Sequence, residues 1–149
     1  MDNKVYIKEL FILTNKLKRL LDTKHQKKGL HSGQARVLIY LYRNKDQEIY
    51  QKDIESTFQI RGGSVTGIID SLVKYDYIKR VSLESDKRKR KIVLTLKGET
   101  FAEHGIETTT HMESRINDLM DEKERVVFES VLLKMNNWID EEEQNEKTN

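Results

Sequence analysis

Cysteine and proline are both absent from the 149 residues. Without thiols there is no disulfide, thiolate metal site, cysteine nucleophile or thiol redox switch, and the chain fits a reducing compartment. Without proline, helices must be stopped by glycine, charge and turn residues, so long helices are expected. No run approaches the roughly 18–20 apolar residues that span a bilayer. The opening segment MDNKVYIKEL has neither the apolar core nor the small-residue cleavage site of a signal peptide. A soluble, cytoplasmic protein with no membrane partner is expected. Catalytic signatures are also missing. There is no Ser-His-Asp ordering and no zincin helix, and RGGSVTG lacks the lysine and spacing of a phosphate loop. Neither enzymatic activity nor a cofactor is expected.

The formal net charge is only +2, but a partner feels charge within about a Debye length, roughly 8 Å at physiological salt. From Ile78 to Gly98 eight bases face two acids, a local balance of +6, whereas Met120 to Asn149 carries four bases and nine acids, −5. The middle of the chain is suited to an anion and its end is not. At the centre of the basic stretch, Asp86 precedes five consecutive bases, Lys87 to Lys91.

Periodicity places that cluster. Ile7, Leu10, Leu13, Leu17, Leu20 and Leu21 recur at steps of three and four, the mark of an amphipathic helix. It should end near KKGL, where Gly29 can take a left-handed cap. Ser32 can cap a second helix with Ala35, Leu38, Ile39 and Tyr42 on its apolar face. A short extended piece at Ile49 then leads into a helix carrying Ile54 and Phe58. After the turn QIRGG comes a helix with Val65, Ile68, Ile69, Leu72 and Val73 on one face. Two short helices joined by a tight turn are the sequence form of a helix-turn-helix. YIKRVSLE and RKIVLTL read as β-strands, which makes the basic cluster the tip and returning strand of a hairpin. A long helix through Phe101, Gly105, Thr108, Met112, Ile116 and Leu119 follows. MDEKE interrupts it, and Val127, Val131, Met135, Trp138 and Ile139 lie on a last helix. The fold class is therefore mainly α with a small β-wing: one domain, residues 1–149, with a winged helix-turn-helix at 30–98. Helical dimerisation segments are expected at 1–29 and 99–142, and a frayed tail at 143–149.

Within this frame the candidate nucleic-acid contacts are Arg61, Gly62, Gly63, Ser64, Thr66 and Gly67 on the second helix and Lys87, Arg88, Lys89 and Arg90 on the wing. Gly62 and Gly63 each weaken a helix by roughly 1 kcal/mol relative to alanine, and their small size lets the helix start approach a phosphate or base edge. Arg61 can bond guanine in bidentate fashion, and the hydroxyls of Ser64 and Thr66 can serve phosphates or bases. A wing reaches the adjacent minor groove, where arginine is attracted. Asp86, two residues before Arg88, is placed to hold that guanidinium and so to position the wing.

SVTGIIDSLVKYDYIKR followed by SDKRKRKIVLTLKG resembles the recognition helix, strand and Asp-x-Arg wing of the multiple-antibiotic-resistance regulator (MarR) family of bacterial transcription factors, closing in the LTLKG turn, Leu94 to Gly98. The double glycine departs from the family pattern. The resemblance implies a homodimer held by the first and the last two helices, with each winged helix reading half of a pseudo-palindromic operator. By it, Arg61, Ser64 and Thr66 fall on recognition-helix positions and Arg88 on the wing arginine. It also implies a small aromatic acid as effector, for which Tyr6, Phe11, Tyr40 and Tyr42 are candidate lining.

The terminal apolar stripes are longer than a small winged helix can cover, and a two-fold partner would cover them. The dimerisation candidates are Leu10, Leu13, Leu17, Met112, Ile116, Leu119, Val131, Met135 and Trp138. His104, Glu107 and His111 stand at i, i+3 and i+7, but the histidines are about 10 Å apart along the helix, poor spacing for a shared ion without His25 or His31. No metal is expected. The expected function is a dimeric, sequence-specific regulator of double-stranded DNA, most simply a repressor. The alternative is a winged-helix interaction module or antirepressor without specific DNA binding.

Overall fold

The computed structural model describes residues 5–26 and 29–148. Its elements run α1 (Tyr6–Gln26), α2 (Ser32–Arg43), α3 (Gln51–Phe58), α4 (Gly62–Lys74), β1 (Ile78–Ser82), β2 (Arg90–Leu94), α5 (Leu96–Asp118) and α6 (Glu122–Thr148). Mainly helical with one β-hairpin, this is the architecture expected. The chain forms two compact units, residues 1–108 and 109–149, with the division inside α5.

In the first unit the core forms around α2. Ala35, Val37, Leu38 and Leu41 pack with Ile54 of α3, Val65, Ile69 and Leu72 of α4, Ile78 and Ile92 of the hairpin, and Phe101 and Ala102 of α5. α2 is thus buried on more of its circumference than its Ala35–Leu38–Ile39–Tyr42 stripe announced, because elements surround it. Its N-cap is His31 rather than Ser32. The His31 N–H is bonded by Gln34 Oε1 at 3.0 Å, and Ser32 is buried with its N–H on Asp22 Oδ1 at 2.7 Å. Ser32 therefore ties α2 to α1. Its hydroxyl and N–H together hold the Asp22 carboxyl below the ordinary carboxylate range. Gly29 takes the left-handed conformation expected of it, φ 83°; Lys27 and Lys28 lie outside the described residues.

The hairpin is antiparallel, with Ile78 opposite Leu94 and Ser82 opposite Arg90. On the other edge of β2, the Ile92 N–H bonds the Ile49 carbonyl at 2.8 Å, so the extended piece before α3 braces the returning strand. α5 starts at Leu96, where Thr95 Oγ1 accepts the Gly98 N–H at 3.1 Å. Gly98 is needed for its size, since a methyl group there would lie 2.1 Å from the Tyr77 carbonyl oxygen.

In the second unit, Asp121 Oδ1 accepts the Glu124 N–H and Glu124 Oε2 the Asp121 N–H, both at 2.9 Å, a reciprocal cap that starts α6. α6 continues through Thr148, past residue 142 where fraying was expected, and the Thr148 hydroxyl bonds Gln144 O at 2.9 Å. Asn149 lies outside the described residues.

Candidate nucleic-acid interface

α3 and α4 are joined by a turn whose left-handed residue is Gln59, φ 52°, not a glycine. The glycine pair instead forms the first two residues of α4, behind an extended Arg61 N-cap. Val65, Ile69 and Leu72 face the core; Arg61, Gly63, Ser64, Thr66 and Gly67 are exposed, and Gly62 is half-buried. At Gly63 and Gly67 an added methyl group would meet nothing within 4 Å. Packing within the chain therefore gives no reason for their small size, and the open face of α4 is bare backbone at both positions.

The Thr66 hydroxyl donates to Gly62 O at 2.9 Å and accepts from Gln51 Nε2 at 2.8 Å. Its only proton is thus committed inside the helix, leaving a methyl group and one lone pair for an outside partner. Asp70, further along the same face, is paired with Arg80 of β1. That bond ties the helix to the hairpin.

The wing is an ordered turn. Asp86 Oδ1 accepts the Arg88 backbone N–H at 3.0 Å, the Lys89 N–H bonds Asp86 O at 3.1 Å, and the Leu83 N–H bonds Lys89 O at 3.3 Å. Asp86 therefore shapes the wing through the main chain, rather than by gripping the guanidinium as expected, and the Arg88 side chain projects outward, exposed with Lys87, Lys89 and Arg90. A groove of about 540 Å³ lies between the wing and the start of α3, lined by Lys52, Arg80, Arg88, Lys89 and Arg90 against a single acid, Asp53. Asp53 is itself occupied as the cap of α3, accepting the Tyr50 N–H at 2.7 Å. Desolvation first, then the hydrogen bond to Glu48, raises the Tyr50 phenol above its ordinary pKa. Lys52, Tyr50, Gln51, Glu55 and Arg80 were all missed as site residues from sequence. For Gln51, Lys52 and Glu55 the available signal was the position of QKDIE at the start of the first helix of the helix-turn-helix, and for Arg80 its place in the basic stretch Ile78 to Gly98.

Residues 28–89 match the MarR family. Over this segment the chain is similar to the MarR family. Its fold is that of the family's winged-helix transcription regulators. Over 123 residues it is 23% identical to the HTH-type transcriptional repressor YetL of Bacillus subtilis (strain 168), covering 83% of this chain and 74% of YetL. The S. aureus MepR–DNA complex shares its fold with TM-score 0.86 at 23% identity, covering 92% of this chain and 99% of MepR. The transcription regulator MarR of Oenococcus oeni PSU-1 gives TM-score 0.75 at 25% identity, covering 87% and 97%.

Other MarR-type expectations fall on distinct parts of the chain. Leu10, Leu13 and Leu17 are exposed on α1, Ile116 on α5, Leu119 in the turn after it, and Val131 and Trp138 on α6, whereas Met112 is only 8% exposed. Met135 is half-buried. The four aromatic candidates do not converge. Tyr6 and Phe11 stand exposed on α1, Tyr40 packs edge-on against Phe58 with ring centroids 5.6 Å apart, and the Tyr42 hydroxyl donates to Glu103 at 2.9 Å. His104 Nδ1 is 3.7 Å from Glu107 Oε2 and both are exposed; His111 is exposed, His31 caps α2, and His25 is buried near the Phe101 ring. Among the described residues no group of three or more His, Asp and Glu side chains is placed to hold a metal ion. No helix among them is long and apolar enough to cross a membrane.

Proposed function

We propose that this protein is a MarR-type regulator that acts as a homodimeric repressor. Each subunit reads half of a pseudo-palindromic operator with α4 and grips the flanking backbone with the wing. The observation that carries this reading is the mounting of Lys87 to Arg90. The turn is closed by Asp86, its returning strand is hydrogen-bonded to Ile49, and its first strand is tied to α4 through Arg80 and Asp70. A cationic loop held in place on three sides presents its charge at a constant distance from the reading helix, which phosphate neutralisation and groove insertion both require. Arg61 and Ser64 supply exposed donors for bases, and Gly62, Gly63, Thr66 and Gly67 allow the close approach.

Dimerisation is supported by uncovered apolar surface in each unit. α1 leaves Leu10, Phe11, Leu13, Leu17 and Leu20 exposed, and α6, 27 residues long, buries none of its residues. An amphipathic helix of that length gains its stability mainly from packing, and a second copy supplies it. A small aromatic acid is the releasing ligand in this reading. The apolar recess of about 590 Å³ at Tyr77, Leu96, Thr100 and Phe101, with Lys97 and His104 as cationic groups, suits it better than the scattered Tyr6, Phe11, Tyr40 and Tyr42, and its volume lies in the ordinary range for ligand pockets, about 300–1,000 Å³.

Selection of bound sites from random duplexes tests the function. The expected result is a palindromic consensus bound by a dimer. Weak, sequence-blind retention of every duplex would instead favour an interaction module or antirepressor.

A further inference from the structure

Among the acids near the reading helix, Glu55 has no structural task equal to its placement. It belongs to α3, yet its carboxylate lies across the bare start of α4: a methyl group added at Gly62 would sit 3.1 Å from Oε1 and 3.4 Å from both Cδ and Oε2. In a helix-turn-helix that end of the second helix meets the base edges. The carboxylate is also oriented. Gln51 Nε2, one turn earlier in α3, donates to Glu55 Oε1 at 3.3 Å and to Thr66 Oγ1 at 2.8 Å. Thr66 in turn donates to Gly62 O at 2.9 Å. Every proton of this relay that these bonds use points inward, and Glu55 can only accept.

We propose that Glu55 is a specificity-determining residue that reads cytosine from outside the recognition helix. Its carboxylate accepts the N4 amino group in the major groove, and Gln51 positions it. The proposal rests on the DNA reading put forward above and goes beyond it to one base. In the major groove the donors on base edges are the amino groups of cytosine and adenine. Adenine carries the N7 acceptor beside its amino group, guanine shows only N7 and O6, and thymine shows O4, so each brings an acceptor up to the carboxylate. Cytosine does not. Discrimination therefore comes as much from repulsion of the wrong bases as from attraction of the right one. The absence of a side chain at Gly62 gives the carboxylate its seat, and the open space at Gly63 and Gly67 lets the duplex come near enough to be read.

Site selection from random duplexes, run in parallel on the wild type, Glu55→Gln and Gln51→Ala, tests this, with thermal melting and dimer state as controls for folding. The wild type is expected to require cytosine at one position of each half-site, by roughly ten-fold or more over other bases. Glu55→Gln should lose that preference while the remaining positions keep theirs, and Gln51→Ala should blur the same position. An unchanged consensus in Glu55→Gln, or a uniform rise in affinity for all sequences, would mean that the carboxylate merely repels phosphates and overturns the proposal. A wild type that selects no sequence overturns the DNA reading itself, and this inference with it. The two failures are thus told apart.

Discussion

Replacing Gly98 by alanine tests the packing that sets the wing's base. The new Cβ would lie 2.1 Å from the Tyr77 carbonyl oxygen, 3.1 Å from the Tyr77 carbonyl carbon and 3.0 Å from Leu94 Cδ2. Close C···O contacts are about 3.3–3.6 Å, so α5 must retreat from the start of β1 by roughly 1 Å. Tyr77 O is also the acceptor of the Thr95 N–H at 3.0 Å, and the Thr95 hydroxyl is shared between it, at 3.1 Å, and Asp76 O, at 2.6 Å. The retreat strains both bonds. Overpacking costs about 1–3 kcal/mol and a weakened hydrogen bond about 1 kcal/mol. The higher helix propensity of alanine offsets about 1 kcal/mol. With both bonds weakened the net loss is about 2–4 kcal/mol, or roughly 4–16 °C in Tm at about 2–4 °C per kcal/mol. Gly67→Ala is the matched control, because its methyl group meets nothing within 4 Å. It should melt higher than wild type, by up to about 1 kcal/mol of helix propensity, yet bind operator more weakly if the bare face is there for the duplex. Thermal and urea melts of both variants decide the matter. A Gly98→Ala protein that melts within 2 °C of wild type on an assay good to about 0.5 kcal/mol would refute the reasoning.

Arg88→Ala should weaken operator binding and lower the slope of log K against log salt by about 0.9 if the side chain neutralises one phosphate, measured by fluorescence anisotropy at several salt concentrations. Arg80→Ala should loosen the wing from α4 at a cost of at most about 1 kcal/mol in stability, since the pair is partly exposed; hydrogen exchange at residues 79–92 should quicken, and operator affinity should fall. Asp22→Asn should change the acid limb of the stability curve. The folded Asp22 carboxyl is held below its ordinary pKa by Ser32. Its stabilisation is thus fully present above the unfolded value of about 3.9 and is lost as pH falls through the lower folded value. Urea midpoints should therefore place the variant below wild type at pH 7 and converge with it in acid. Leu13→Asp and Val131→Asp should each shift sedimentation toward the monomer without altering the helical circular dichroism of the individual subunit, because both side chains are exposed in the single chain.

The elements of this chain were legible in its sequence because helical and strand periodicities are local. The three- and four-step spacing of α4, the β-branched runs on either side of Lys87 to Lys91, and the left-handed cap at Gly29 need only a few neighbouring residues to act. Charge clustering located the wing for the same reason. What the sequence by itself determined is therefore the order of elements, the helix α4 and the basic hairpin beside it. Tertiary structure alone decided the bond from Ile92 to Ile49, the role of Asp86 as a main-chain brace, the close approach of Gly98 to Tyr77, and the meeting of Gln51, Glu55 and Thr66 at the head of α4. These join groups from separate elements or settle which of several possible partners a polar atom takes. Both depend on how the packed core sets distances to a fraction of an ångström, and a local pattern of apolar and polar residues carries no record of that.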